Sequence, residues 1–369
     1  ARKFSFVGVL EDDQGQSVTS GISVVRTSQA AADGDNIEDI SSIKYLAPRI
    51  YSSQYRAVTA NDYTGIIPFV YPNVESVTSY GGEELEPPEY GKVFISIKPK
   101  NGSFLSQITK DDISRQLKQY SIAGIKPEII DLKYLYVEVD TSVYFNSNAI
   151  SDSAELVTSV TKALSSYSQS SDINAFGGRF KYSKIVSLID DSARGVTSNI
   201  TKVKMRRDIT PELNTFATYE LCYGNAFFKQ RNGYGIRSTG FNVSNISGTV
   251  YMGDIPTAGT DVGKIIFFKL ENNLPLVVKN DAGTIDYVHG EINLDVVNIT
   301  GTSLANGQIQ VEAIPQSNDV IALKDLYLQL DVTNSSVNAL PDVVSSGENT
   351  SATSYVTTSS YASESIYTR

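Results

Sequence analysis

From about Leu221 onward the chain loses the three- and four-residue apolar spacing of a helix. Short alternating runs take its place: TVYMGDI, KIIFFKL, PLVVKN, TIDYVHGEINLDVVNI, QIQVEAIP and LYLQLDV. Successive side chains on a strand point to opposite faces, so each run can bury one side of a sheet and wet the other. Turn signals separate the runs at Asn272-Asn273, Asp281-Ala282-Gly283 and Asn306-Gly307. Strands this short and this regularly punctuated predict a β-sandwich or small barrel over residues 211–339.

Upstream the periods are mixed. YRAVTANDYTGII reads as a helix, with Thr59 and Asp62 in capping-box spacing, Tyr63, Ile66 and Ile67 on one face and Pro68 at its end. VESVTSY (74–80) and KVFISIKP (92–99) alternate as strands. A helix follows over Thr109–Tyr120, with Thr109 as cap and Asp111 and Asp112 in its first turn, where negative charge suits the helix dipole. EIIDLKYLYVEVDTSVYFN supplies one long strand or two short ones. Helices over 151–168 and 183–191 and a strand over Asn199–Ile209 complete the region. The order β-α-β-β-α-α-β predicts a split βαβ sandwich, so the whole chain is expected to be α+β and multi-domain. Residues 1–50, with alternating KFSFVGVL and GISVVRT, read as the β-rich end of an upstream domain, and 51–210 as the α+β core. Residues 340–369, rich in Ser and Thr, read as a tail that is disordered alone. The start ARKFSF, without methionine, predicts a fragment or a processed terminus.

Composition narrows the chemistry. With 31 basic and 41 acidic residues the chain carries a formal charge of −10, a poor match for nucleic acid or anionic lipid. The apolar runs GIIPFVY and IIFF fall far short of the roughly 18–20 residues of a membrane helix. A single cysteine, Cys222, excludes an internal disulfide, and a single histidine, His289, removes most catalytic constellations. No G-x-S-x-G elbow accompanies His289. GTDVGKI (259–265) has one residue too few between its glycines for a Walker loop, and Ile265 stands where Ser or Thr would hold magnesium. The basic run KVKMRR (202–207) alternates on a strand and is expected to be solvated or to face an interface.

One stretch is conspicuous: SYGGEELEPPEYGKVFISI. Glu83, Glu84, Glu86 and Glu89 supply oxygen ligands of the kind a hard cation takes, yet their spacing is not that of a calcium loop and Pro87-Pro88 stiffens the second half. The stretch is read as an acidic loop whose four glutamates face solvent or a partner. No metal, cofactor or catalytic residue is expected.

YRAVTANDYTGII, VESVTSYGGEELEPPEYGKVFISIKP, INAFGGRFKYSKIVSLIDDSARGVTSNITKVKMRRDI and GTIDYVHGEINL together resemble the baseplate J-like family of contractile-tailed bacteriophages, in its T-even-type wedge group. The resemblance spans about Arg49 to Val332 and marks the chain as a C-terminal fragment of a longer protein. Shorter members stop near the equivalent of Ile209, so the β-rich region matches only the wedge group. The resemblance implies a structural virion subunit, assembled in the host cytoplasm. It implies homodimers, an inner baseplate ring, contacts with other wedge proteins and the central hub, and a relay of the change that triggers sheath contraction. It transfers no catalytic residue. Two other readings follow from the residues alone. The Tyr-rich β region and Ser/Thr-rich end suit a carbohydrate-binding or adhesin-like module, and His289 a hydrolase.

Overall fold

A computed structural model describes residues 11–12, 14–18, 40–85, 87–169 and 173–342. The chain divides into two compact units, Ala1–Tyr55 and Arg56–Arg369. In the first unit Glu11 and Ser17 form an isolated antiparallel bridge, and α1 (Ile40–Ser53) is a helix. The strand character expected up to residue 50 therefore does not hold over 40–50. The two runs that suggested strands, 3–10 and 21–27, lie outside the described residues, as do 343–369 of the expected tail.

The second unit opens with α2 (Ala60–Val70), β1 (Val74–Gly81), β2 (Lys92–Pro99), α3 (Gln107–Leu117) and β3 (Lys126–Ile130). The Asp62 carboxylate accepts from the backbone N–H groups of Thr59 and Val58, at 2.8 and 3.1 Å, fixing the first turn of α2. Pro68 is accommodated in the last turn rather than ending the helix, which runs on to Val70. The cap of α3 is Ser106, whose Oγ accepts from Thr109 N at 3.2 Å. That moves the helix start two residues upstream of the expectation and places Asp111 and Asp112 beyond the first turn. β1 and β2 are antiparallel, while β2 and β3 are parallel neighbours joined through α3. This is a plain βαβ unit, not a split one, because no strand intervenes between β2 and β3. Ala57, Tyr63, Ile66, Ile67, Val93, Ile95, Ile97, Ile113 and Leu117 form its core, a cluster of its own.

The remaining elements are β4 (Lys133–Phe145), α4 (Ser153–Ser168), β5 (Ala175–Phe176), β6 (Arg179–Phe180), α5 (Tyr182–Asp190) and β7 (Val196–Ile209), then β8 (Phe216–Cys222), β9 (Ile236–Ser238) and β10 (Phe241–Val243). They continue with β11 (Ile246–Pro256), β12 (Val262–Glu271), β13 (Leu274–Asp286), β14 (Glu291–Thr302), β15 (Ile309–Ala313), β16 (Val320–Ile321), β17 (Leu326–Leu330) and β18 (Ser336–Pro341). A seven-stranded sheet runs β5-β17-β4-β7-β15-β9, with β18 paired in parallel to the second half of β4. The odd residues of β4, among them Leu135, Val137, Val139 and Val143, share a cluster with Leu156, Val160 and Leu164 of α4 and Ile185 and Ile189 of α5.

β10 to β14 close on themselves through the β10–β14 pairing, giving a small five-stranded barrel with β8 added to β14. The small barrel expected in the β-rich region is thus present. The division expected at residue 210 is not a boundary of sheet or core. β15, β17 and β18 return to the sheet of β4 and β7, and one hydrophobic cluster runs from Leu135 to Leu330. Asp281-Ala282-Gly283, read as a turn, lies inside β13 at a register shift against β12.

Candidate interaction site

β1 ends at Gly81 and a single 3-10 turn, Gly82–Glu84, starts the acidic loop. The Gly82 carbonyl accepts from Leu85 N at 3.3 Å and from Glu89 N at 2.8 Å, so the loop folds back on this residue. A Cβ at Gly82 would lie 1.9 Å from the Glu89 carbonyl oxygen, a distance only glycine avoids. Gly91 has φ +79° and its carbonyl accepts from Lys126 N at 2.9 Å, which sets the entry of β2 beside β3.

The glutamates diverge. Glu89 pairs with Lys92 at 2.7 Å, and Lys92 also meets Glu128 at 3.3 Å. The Glu89 hydrogen bond, then that to Glu128, hold the Lys92 ammonium above its ordinary pKa. Glu84 reaches Lys324 at 3.4 Å, Glu83 is exposed, and Glu86 lies outside the described residues. Among the described residues no group of three or more His, Cys, Asp or Glu is placed to hold a metal ion.

The charges that converge are elsewhere, on the face of the large sheet opposite its helices. Arg206 of β7, 4% exposed, is ion-paired to Glu138 of β4, to Asp208 at 3.0 Å and to Asp331 at 3.0 Å. Its guanidinium carbon lies 4.3 Å from the Tyr136 ring centroid. Lys204 bridges Asp140 at 2.8 Å and Glu312 at 3.5 Å. Burial pushes the Glu138 carboxyl up to about 7 against the opposing pull of Arg206. Burial also raises Asp208. For Arg206 burial works against the charge, but Asp208, Glu138 and Asp331 outweigh it and leave the pKa raised.

The run KVKMRR is therefore not a solvated strand throughout: Lys204 and Arg206 are neutralised by acids on β4, β7, β15 and the segment after β17, and Arg207 donates to the Cys222 carbonyl, while Lys202 is exposed. The cluster had a partial signal in the sequence. Glu138 and Asp140 alternate with apolar residues in β4 as Lys204 and Arg206 do around β7, but nothing local pointed to Asp331.

A second surface lies at the β12–β13 hairpin. Asn272 and Asn273, at φ 52° and 62°, make the two-residue turn expected there, with the positive φ values that the strand twist favours. On β13 Leu274, Leu276 and Val278 share one face and all are exposed, Leu274 at 70%. The pairing of β13 with β14 covers only Gly283–Asp286, so among the described residues the outer edge of 274–282 has no partner strand.

His289 is exposed in the turn after β13, its Nδ1 2.9 Å from Asp286 Oδ2, while Cys222 is half-buried with its Sγ 3.8 Å from Glu291. Each has a carboxylate neighbour of its own. In the Walker-like GTDVGKI only residues 259–261 form a turn and Val262 to Ile265 already belong to β12, so the motif leads into a strand and not a helix. No helix among the described residues is long and apolar enough to cross a membrane.

Two family models match consecutive parts of the chain. They are the baseplate structural protein gp6 C-terminal domain I over residues 59–130 and C-terminal domain III over residues 133–208. Their junction falls between β3 and β4, where the first sheet ends and the large sheet begins. The baseplate wedge protein gp6 of Enterobacteria phage T4 is 28% identical over 188 residues, covering 49% of this chain. The chain spans 28% of that relative's length. A chain of the anti-feeding prophage baseplate, from a 6-fold symmetrised cryo-EM structure, is 16% identical with a TM-score of 0.31, over 44% of this chain and 37% of that one. Residues 59–208 are thus similar, in order, to two C-terminal domains of the baseplate structural protein gp6.

Proposed function

We propose that the chain is a structural subunit of a phage tail baseplate wedge, without enzymatic activity. In this reading it self-associates as a homodimer, meets other wedge proteins and the central hub, and forms part of the inner baseplate ring. There it relays the conformational change that triggers sheath contraction in a contractile tail. The observation that carries the reading is the succession of two gp6 domain models over 59–208, in the order and at the junction where the two sheets divide. The exposed Leu274-Leu276-Val278 strip adds to it, because an apolar strip beside a free strand edge is a liability for a chain that works alone.

Labelling decides the location. A gold-tagged chain built into phage particles is expected to mark the baseplate in electron micrographs, around the tail axis. Label confined to the sheath, the fibres or the free protein would overturn the reading.

A further inference from the structure

The second unit holds two hydrophobic cores, and the boundary between them is built differently from either. The first lobe, 56–131, packs around Tyr63, Ile66, Ile95 and Leu117. The second, 132–342, packs around the large sheet and the barrel. The backbone passes between the lobes once, between Asp131 and Leu132, because the first lobe is a continuous segment. Its β3 and the neighbouring β4 belong to different sheets and share no ladder.

What joins the lobes besides that link is a thin seam of tyrosines and polar bonds. Leu132, Tyr134 and Tyr327 form a small buried cluster with Phe176 at its margin. The Tyr327 hydroxyl, shared with the Asn174 carbonyl of its own lobe at 3.1 Å, donates to Glu75 of β1 at 2.9 Å, and the Tyr134 hydroxyl to the Ser103 carbonyl at 2.7 Å. Thr78 Oγ1 donates to the Lys324 carbonyl at 3.0 Å, and the half-exposed Lys324–Glu84 pair closes the margin. Phe104 meets Tyr134 edge-on at 5.7 Å.

On the second-lobe side the seam stands on a rigid base: Tyr134 stacks on Tyr136 at 5.3 Å, and Tyr136 carries Arg206. Hydroxyl and carboxylate partners of this kind are replaceable by water, unlike an interlocked aliphatic core. Lobes joined by a small polar interface and one linker are expected to move relative to each other.

We propose that the first lobe is a hinged arm, turning about Ile130–Lys133 and held closed by a latch of Tyr134, Tyr327 and Thr78. The closed form is the ground state, since opening exposes two tyrosine rings and unmakes three hydrogen bonds. The hinge is a property of the chain alone and stands whether or not the chain sits in a baseplate.

Thiol labelling tests it on the full chain. In a Cys222→Ser background, Thr78→Cys places a reporter in the seam and Val203→Cys one in the second core. Adding Tyr134→Phe and Tyr327→Phe, which keep the rings and remove the hydroxyls, is expected to speed labelling at position 78 about tenfold, the scale of two lost hydrogen bonds, and to leave position 203 unchanged. Tyr223→Phe, which removes a hydroxyl bond to the Val311 carbonyl inside the second lobe, should leave position 78 unchanged. Tyr327→Phe alone is the milder variant if the pair folds poorly. Unchanged labelling at 78 would overturn the hinge. So would equal acceleration at 78 and 203, which would make the seam part of one cooperative core.

Discussion

Glu138 holds its proton more tightly in the folded chain than in the unfolded one, because burial outweighs the attraction of Arg206. Below the ordinary carboxylate pKa of 4.5 both states are protonated. As pH rises toward about 7 the unfolded chain releases its proton first, so the stability contributed by the protonated group is lost across that window. Glu138→Gln, which keeps an amide oxygen for Arg206, should therefore melt with a flatter pH dependence than the parent between those limits. Parallel melting curves would show that the group is ionised throughout.

Arg206 gives the opposite test. Its removal as Arg206→Met leaves Glu138, Asp208 and Asp331 with no cation among them and should cost about 3–5 kcal/mol in denaturant unfolding. At this scale the sequence showed charges at every second position of two strands. It could not show that they face one another, since that depends on the register that sets Tyr136 opposite Arg206 and Glu138 opposite Lys204.

At the scale of the element the acidic loop is a matter of backbone geometry. Gly82→Ala forces a methyl group against the Glu89 carbonyl, and the loop must open to admit it, with an expected loss of about 1–3 kcal/mol. Replacing Glu83, Glu84, Glu86 and Glu89 together with Gln should leave the melting transition where it is. The pairs described there are exposed, and such pairs are worth little. A collapsed transition in the four-fold variant, or a metal bound by the parent, would restore the loop as a chemical site.

The elements themselves were legible wherever the apolar period was clean. The Lys92–Pro99 strand and the buried stripe Leu156, Val160 and Leu164 of α4 follow the pattern. The α3 cap was misread because Ser106 and Thr109 are both good caps, and the choice depends on which hydroxyl the folded turn brings to the backbone N–H. Asp281-Ala282-Gly283 resembles a turn because glycine serves a bulge as well as it serves a hairpin.

For the whole molecule, self-association should depend on the β12–β13 hairpin. Leu274→Lys with Leu276→Lys exposes no core and should keep the parent's melting temperature, while reducing the dimer fraction seen by sedimentation. A parent that sediments as a strict monomer at high concentration would remove the homodimer from the proposed function, and an undiminished dimer would move its interface elsewhere.

The order and kind of most elements from Arg56 to Leu330 followed from the chain's own periods, since helix and strand are decided within a few residues by which side chains can share a face. The α+β character and the β-rich second half were readable for the same reason. The tertiary structure decided the pairings between distant segments: β18 beside β4, Asp331 beside Arg206, Tyr327 against Glu75 and the closure of β10 on β14. Those contacts join residues that are far apart in the chain and leave no local period. They form because buried faces, edges and charges must all find partners at once, and that condition exists only when the whole chain has folded.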